Sequence, residues 1–343
     1  MKRIIMLATW IAVIATLAVG SVSAATPASA PGAEGKLVFQ TSTGGDLYII
    51  NASATGLRKL TTGYEPALSP DGTKVAFGRW SSFPRGLWVI NADGTDEHLV
   101  YGYDAKDTGL RGPTWSPDGM RLTFAFFPEN DSRFQACFKF KVPKPGGGTT
   151  KMEQCFVGPR NPWWKLATVG ADGQGFRELP SHDFAYAPSW SADGVRIAYG
   201  SDQGLSLTSD DGSVGDVHDA ANKWRLTDYQ GDRSPAWSPD GRRLAFQTKS
   251  HDHWEIAVIN DDGQGRTQLT RSWPLADVAV NSVSPAWSPD GRYIVYLTDE
   301  RGRWELYRMK ADGSEKGPFL EEALKGLTFE YNSVDERVVS WGR

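Results

Sequence analysis

His251 and His253 flank Asp252, and if the segment were extended both imidazoles would share one face, where they could hold a divalent metal. Only His98, His182 and His218 remain as further histidine ligands, and they are scattered along the chain. A polar loop is therefore the reading adopted, and no metal is assigned. The acid-rich run from Ser209 to Asp219 lacks the spacing of a calcium-binding loop and reads as a solvated turn. A GxSxG nucleophile elbow is missing, so no catalytic residue is singled out and no cofactor is expected.

The bulk properties narrow the classes further. Met1-Lys2-Arg3 leads into an apolar run from Ile4 to Val19 and then small residues ending at Ala24, the plan of a secretory signal peptide. Residues 1–24 are expected to be removed, 25–35 to form a linker and 36–343 to fold. The chain is then expected in a periplasm or outside the cell, with no stable membrane anchor. Without Lys2 and Arg3 it carries 35 basic against 41 acidic residues, a charge of -6 that disfavours nucleic acid as a partner. Cys137 and Cys155 are the only cysteines, and an even count in an exported chain favours a disulfide over a metal site.

Self-similarity carries the fold. Ser69-Pro70-Asp71-Gly72 recurs at Ser116, Ser191 (with Ala192 for Pro), Ser238 and Ser288, and Trp precedes all but the first. An apolar strand follows each, such as Lys74-Val75-Ala76-Phe77. A second turn family lies between them, at Asp93-Gly94, Asp172-Gly173, Asp211-Gly212, Asp262-Gly263, Asp312-Gly313 and the looser Asn51 to Ala54. Pro presets the turn, Asp bonds nearby backbone and Gly takes the positive φ, so these aspartates are turn residues rather than catalysts.

The unit is strand A, Ser-Pro-Asp-Gly turn, strand B, loop, strand C, Asp-Gly turn, strand D: one four-stranded propeller blade. Six C–D turns against five A–B turns predict an all-β, six-bladed β-propeller whose first blade lacks its own strand A. Residues Phe329 to Trp341 are expected to supply the missing outer strand pairing, joining the N- and C-terminal strands and removing open sheet edges.

The pattern Trp-Ser-Pro-Asp-Gly-x-x-(Leu/Ile)-Ala-Phe resembles the repeat of the TolB-like β-propeller family over roughly residues 36–343. The resemblance implies a six-bladed disc whose channel mouth receives a protein partner. TolB-like chains resemble a propeller preceded by an α/β domain, whereas here the repeat starts about a dozen residues after the expected cleavage, so contacts made through that domain are not carried over.

Alternation of strand direction puts the A–B and C–D turns on one, plain face and the B–C and D–A loops on the other. Length variation falls on the second face, so binding is expected there. Its largest insertion, 127–163 in blade three, reads as a hairpin around Pro143 to Gly148. A Cys137–Cys155 bridge would close its 19-residue loop and contribute about 3 kcal/mol by chain entropy. B–C loops contribute Trp80, Arg160, Trp163, Trp164, His251, His253 and Arg301 to the candidate surface. D–A loops contribute Glu65, Arg111, Tyr186, Asp232, Arg233 and Asn281. The function expected is a monomeric, exported scaffold that binds a protein in the cell envelope or extracellular space. The alternative is a carbohydrate-active propeller in which Trp163, Trp164 and the arginines grip an acidic glycan.

Overall fold

The computed structural model describes residues 34–80, 84–103, 109–127, 135–143, 149–157, 164–182, 184–214, 225–272, 279–332 and 335–343, with backbone alone for 135–143 and 149–157. The signal-peptide and linker expectations lie outside these residues. So do Arg160 and Trp163. No helix among the described residues is long and apolar enough to cross a membrane.

Twenty-five strands are described, and six antiparallel blades account for all but the inserted pair. Blade one holds β1 (Lys36–Gln40), β2 (Asp46–Asn51) and β3 (Arg58–Thr62). Blade two holds β4 (Tyr64–Leu68), β5 (Lys74–Arg79), β6 (Gly86–Asn91) and β7 (His98–Gly102). Blade three begins with β8 (Leu110–Trp115) and β9 (Arg121–Phe126). The insertion β10 (Gln135–Pro143) and β11 (Thr149–Val157) follows, a two-stranded sheet of its own, before β12 (Lys165–Gly170) and β13 (Arg177–Leu179) complete the blade.

Blade four has β14 (Tyr186–Trp190), β15 (Ile197–Ser201) and β16 (Gly204–Thr208), and a single bridge from Ser206 to Arg225 marks its outer position. Blade five has β17 (Asp232–Trp237), β18 (Arg243–Ser250), β19 (His253–Asn260) and β20 (Thr267–Gln268). Blade six has β21 (Ser282–Trp287), β22 (Tyr293–Thr298), β23 (Glu305–Lys310) and β24 (Gly317–Pro318). The last strand, β25 (Val339–Gly342), pairs with β1 in blade one, Leu37 opposite Trp341. Its position is the inner one. β25 packs beside β21 and β4, in the ring that the first strands of the other blades form around the axis, rather than at the outer edge the sequence suggested.

The Ser-Pro-Asp-Gly turn has a definite hydrogen-bond logic. Ser69 Oγ donates to Asp71 Oδ1 at 2.6 Å and accepts the Lys74 N–H at 2.9 Å, while Asp71 accepts the Thr73 N–H. The same serine-to-aspartate bond recurs at Ser116, Ser191, Ser238 and Ser288. Each turn thus fixes where strand B starts.

Blades are joined by the residues around those turns. The Trp115 indole donates to the Ala67 carbonyl of blade two at 3.1 Å, and Trp287 to Ala236 of blade five at 3.0 Å. Strand-B arginines cover the tryptophan of the following blade: Arg121 over Trp190, Arg196 over Trp237 and Arg243 over Trp287, 4.8 to 5.3 Å from the ring centres. Arg121 and Arg196 also pair with Asp210 and Asp261, in C–D turns of the next blade. These contacts explain why Trp and Arg recur with the period of the blade. They also place the A–B and C–D turns on one face.

Candidate functional site

Each of the first five ring strands bends at the same place. Glu65, Gly112, Ala187, Ser234 and Ser284 have φ between 47° and 57°, each stands before a proline, and strand pairing shifts register across each. Four of the five are not glycine, and a left-handed φ is costly for such residues, so the bend is imposed by the surrounding ring. Arg337, one turn of chain before β25, exploits two of these bends. Its guanidinium donates to the Pro113 carbonyl at 3.2 Å and the Pro188 carbonyl at 2.7 Å, tying blade one to blades three and four through the axis.

Above Arg337, toward the irregular face, lies a network of charges. Glu65 is buried; it pairs with Arg111 at 2.9 Å and accepts the Gly112 N–H at 2.5 Å. Gln40 accepts the Glu65 N–H and donates to Glu336, which also receives Thr43 Oγ1. On the far side Val338 N–H donates to Ser284 Oγ, whose own N–H donates to Gln247, and the Gln247 amide meets the Tyr331 hydroxyl. Arg233 Nε stands 3.7 Å from Asp335 Oδ1, an oxygen with no hydrogen-bond partner among the described residues.

Burial sets the electrostatics of the mouth. It pushes the Asp335 carboxyl up despite Arg233 and Arg111, and it pushes up Glu336 as well. Burial brings the Arg337 guanidinium down to about 10, with Glu65 opposing. Burial and the charge of Asp335 raise the Tyr186 phenol to about 12. The Arg111 charge is penalised by burial but held by Glu65 and Asp335, so its affinity for a proton rises. Three carboxylates and three guanidiniums therefore share a small, poorly solvated space.

The residues singled out from sequence divide into groups. Glu65, Arg111, Tyr186 and Arg233 converge on this mouth. Trp80 is 41% exposed, stands edge-on to Tyr64 and donates to the Leu110 carbonyl. Trp164 packs against Tyr186 and Phe127 at 5.7 and 5.9 Å, a wall of the site rather than a free stacking platform. Asp232 is fully buried in a two-pronged pair with Arg266, inside blade five. Asn281 accepts the Trp254 N–H and donates to Asp299. Arg301 is held by Glu305 and Glu321, away from the axis.

His251 and His253 do not lie on an extended segment. Strand β18 ends at Ser250, His251 takes a φ of 58° in the turn, and β19 starts at His253. His253 is instead wedged between Asp252 at 3.1 Å and Glu255 at 3.0 Å. No cluster of three or more potential metal ligands occurs among the described residues. In the insertion, the register sets Cys137 directly opposite Cys155.

A family model described as the TolB beta propeller domain matches residues 154–322. The matched stretch is a TolB β-propeller domain by sequence. TolB from Acinetobacter baumannii superposes with a TM-score of 0.61 at 16% identity, covering 90% of this chain and 66% of that one. A putative TolB from Agrobacterium tumefaciens gives 0.56 at 18% identity, covering 83% and 87% respectively. An uncharacterized peptidase, YuxL of Bacillus subtilis (strain 168), is 28% identical over 204 residues, 53% of this chain. This chain spans only 29% of the peptidase's length, so the match reports the propeller alone.

The mouth also holds residues that the repeat did not disclose. Gln40 ends β1, Gln247 lies within β18, and Tyr331, Asp335, Glu336 and Arg337 come from the run before β25, where the repeat is most degenerate. Three charged residues in succession just before a buried closing strand were the available signal.

Proposed function

We propose that this protein is an exported scaffold that binds a protein partner through the channel mouth of its irregular face. The observation that carries this reading is the concentration of buried charge there, with Asp335 Oδ1 lacking a hydrogen bond beside Arg233. A buried carboxylate oxygen without a donor is costly to maintain, and a partner donor would satisfy it. The insertion β10–β11, between β9 and β12 in sequence, adds surface that the propeller core does not need, since it forms a sheet separate from every blade.

Export rests on the amino-terminal residue pattern, and the protein class of the partner rests on likeness to the TolB propeller, an argument by analogy. Crosslinked capture from cell-envelope extract tests the reading, comparing the intact chain with a variant lacking residues 130–160 whose propeller is verified by circular dichroism. One protein captured by the intact chain alone supports it. Equal capture by both forms would assign the contact to the mouth without the insertion, and capture by neither would count against a partner site at this face.

A further inference from the structure

The opposite end of the channel holds a second space. A cavity of about 220 Å³ lies among the inner strands on the plain face and is lined by Ala67, Trp115, Trp237, Trp287, Trp341 and their neighbours on all the strands of the ring. Turn residues Pro70, Pro239 and Pro289 stand at its rim. Among the described residues Arg337 is the only ionisable one lining it.

From this arrangement we infer that the plain-face funnel is a binding site for a small organic monocarboxylate, the carboxylate meeting Arg337 and a short apolar body lying against the proline and tryptophan walls. Arg337 spends two donors on Pro113 and Pro188, and a guanidinium has five N–H groups in a planar fork suited to a carboxylate. No acid lines the funnel. Glu65, the carboxylate whose charge reaches Arg337, is already engaged by Arg111 and the Gly112 N–H on the other side. An anion entering from the plain face therefore meets one positive charge between proline and tryptophan walls that are interrupted by Ser69, Thr114, Ser189 and Ser340.

Size narrows the ligand class. The cavity is smaller than the ~300–1,000 Å³ usual for small-molecule sites, which favours a compact acid over an extended chain. Inorganic phosphate matches the charge but leaves the apolar walls uncovered. The funnel opens on the face opposite the mouth proposed above for a protein, with Arg337 between the two, and a ligand in it is tested without reference to that partner.

Ligand-observed NMR with benzoate, butyrate and inorganic phosphate tests the site on the purified chain. Saturable binding of benzoate, exceeding that of phosphate, is expected, and it should weaken by roughly tenfold or more in Arg337→Met, the scale of a lost charge-assisted contact. Because Arg337 also ties blades together, Ala236→Phe provides a second variant, which fills the funnel and leaves the arginine in place. Loss of benzoate binding in folded Ala236→Phe supports the inference. Equal binding of phosphate and benzoate, binding that survives Ala236→Phe, or no saturable binding by the parent chain would overturn it.

Discussion

Arg337 Nη2 donates to the carbonyl oxygen of Pro188 at 2.7 Å, between residues 149 positions apart and across the axis of the disc. With the bond to Pro113, one side chain holds three blades in register. Arg337→Met should destabilise the fold by about 2–4 kcal/mol, since it strands two carbonyls and removes a buried charge facing Glu65. Arg337→Lys should recover part of this, because a point-like ammonium cannot match the fork. Urea midpoints compare the three; equal midpoints would show that the axis needs no tie.

Trp237 and Trp287 occupy equivalent places, yet only Trp287 finds an acceptor for its indole N–H; Trp237 Nε1 is buried without one. Replacement by Phe keeps most of the packing and deletes the donor. Trp287→Phe should therefore cost about 1 kcal/mol more than Trp237→Phe in thermal or urea unfolding. The reverse order would mean that packing, not the inter-blade hydrogen bond, distinguishes the two positions.

Stability should peak in mildly acidic solution. Serine hydroxyls, then backbone N–H groups, hold Asp71 and Asp118 below the usual carboxylate range, and the Ser213 hydroxyl leads in holding Asp211 at about 2. Their folded values lie below the unfolded value of ~3.9, so their contribution is complete above that pH and is lost as pH falls through the depressed values. Asp335 and Glu336 have the opposite sign: burial raises them, so their contribution is present at low pH and is lost as pH rises through the raised values. Melting temperature should rise modestly on mild acidification, as the raised carboxyls of Asp335 and Glu336 gain protons, and fall once pH drops below about 4. A steady decline on leaving neutrality would contradict this assignment.

The repeat made the blade count and most strand boundaries legible, because each turn sets its own hydrogen bonds: Ser238 to Asp240 needs nothing beyond five neighbouring residues. The inner place of β25 was harder to read, since it depends on which ring strands flank it. The mouth was only partly legible. Glu65, Arg111, Tyr186 and Arg233 sit at fixed repeat positions beside the pre-proline bend, so blade arithmetic finds them. Asp335, Glu336 and Arg337 lie before the closing strand and acquire partners only when the ring shuts. Asp232 and Asn281 lie two and three residues before their bends, where Arg266 and Asp299 claim them within their own blades.

Cys137 and Cys155 are direct partners in the β10–β11 register, and we propose that they form a disulfide. Alkylation of the unfolded, unreduced protein should leave its mass unchanged, and alkylation after reduction should add two groups. Reduction should loosen the hairpin's amide protection and leave the melting of the disc unchanged, because this sheet belongs to no blade. Two reactive thiols in protein exported under oxidising conditions would refute the bridge.

The mouth of the irregular face is the proposed place where a partner binds. Site-specific photocrosslinking in envelope preparations addresses it directly, with the reactive group at Tyr186 in the mouth or at Met120, 69% exposed in a turn of the plain face. A discrete protein adduct from position 186, absent from position 120 and weakened when Arg233 is replaced by Ala, is the predicted result. Adducts from position 120 alone, or none from position 186 in folded protein, would contradict it.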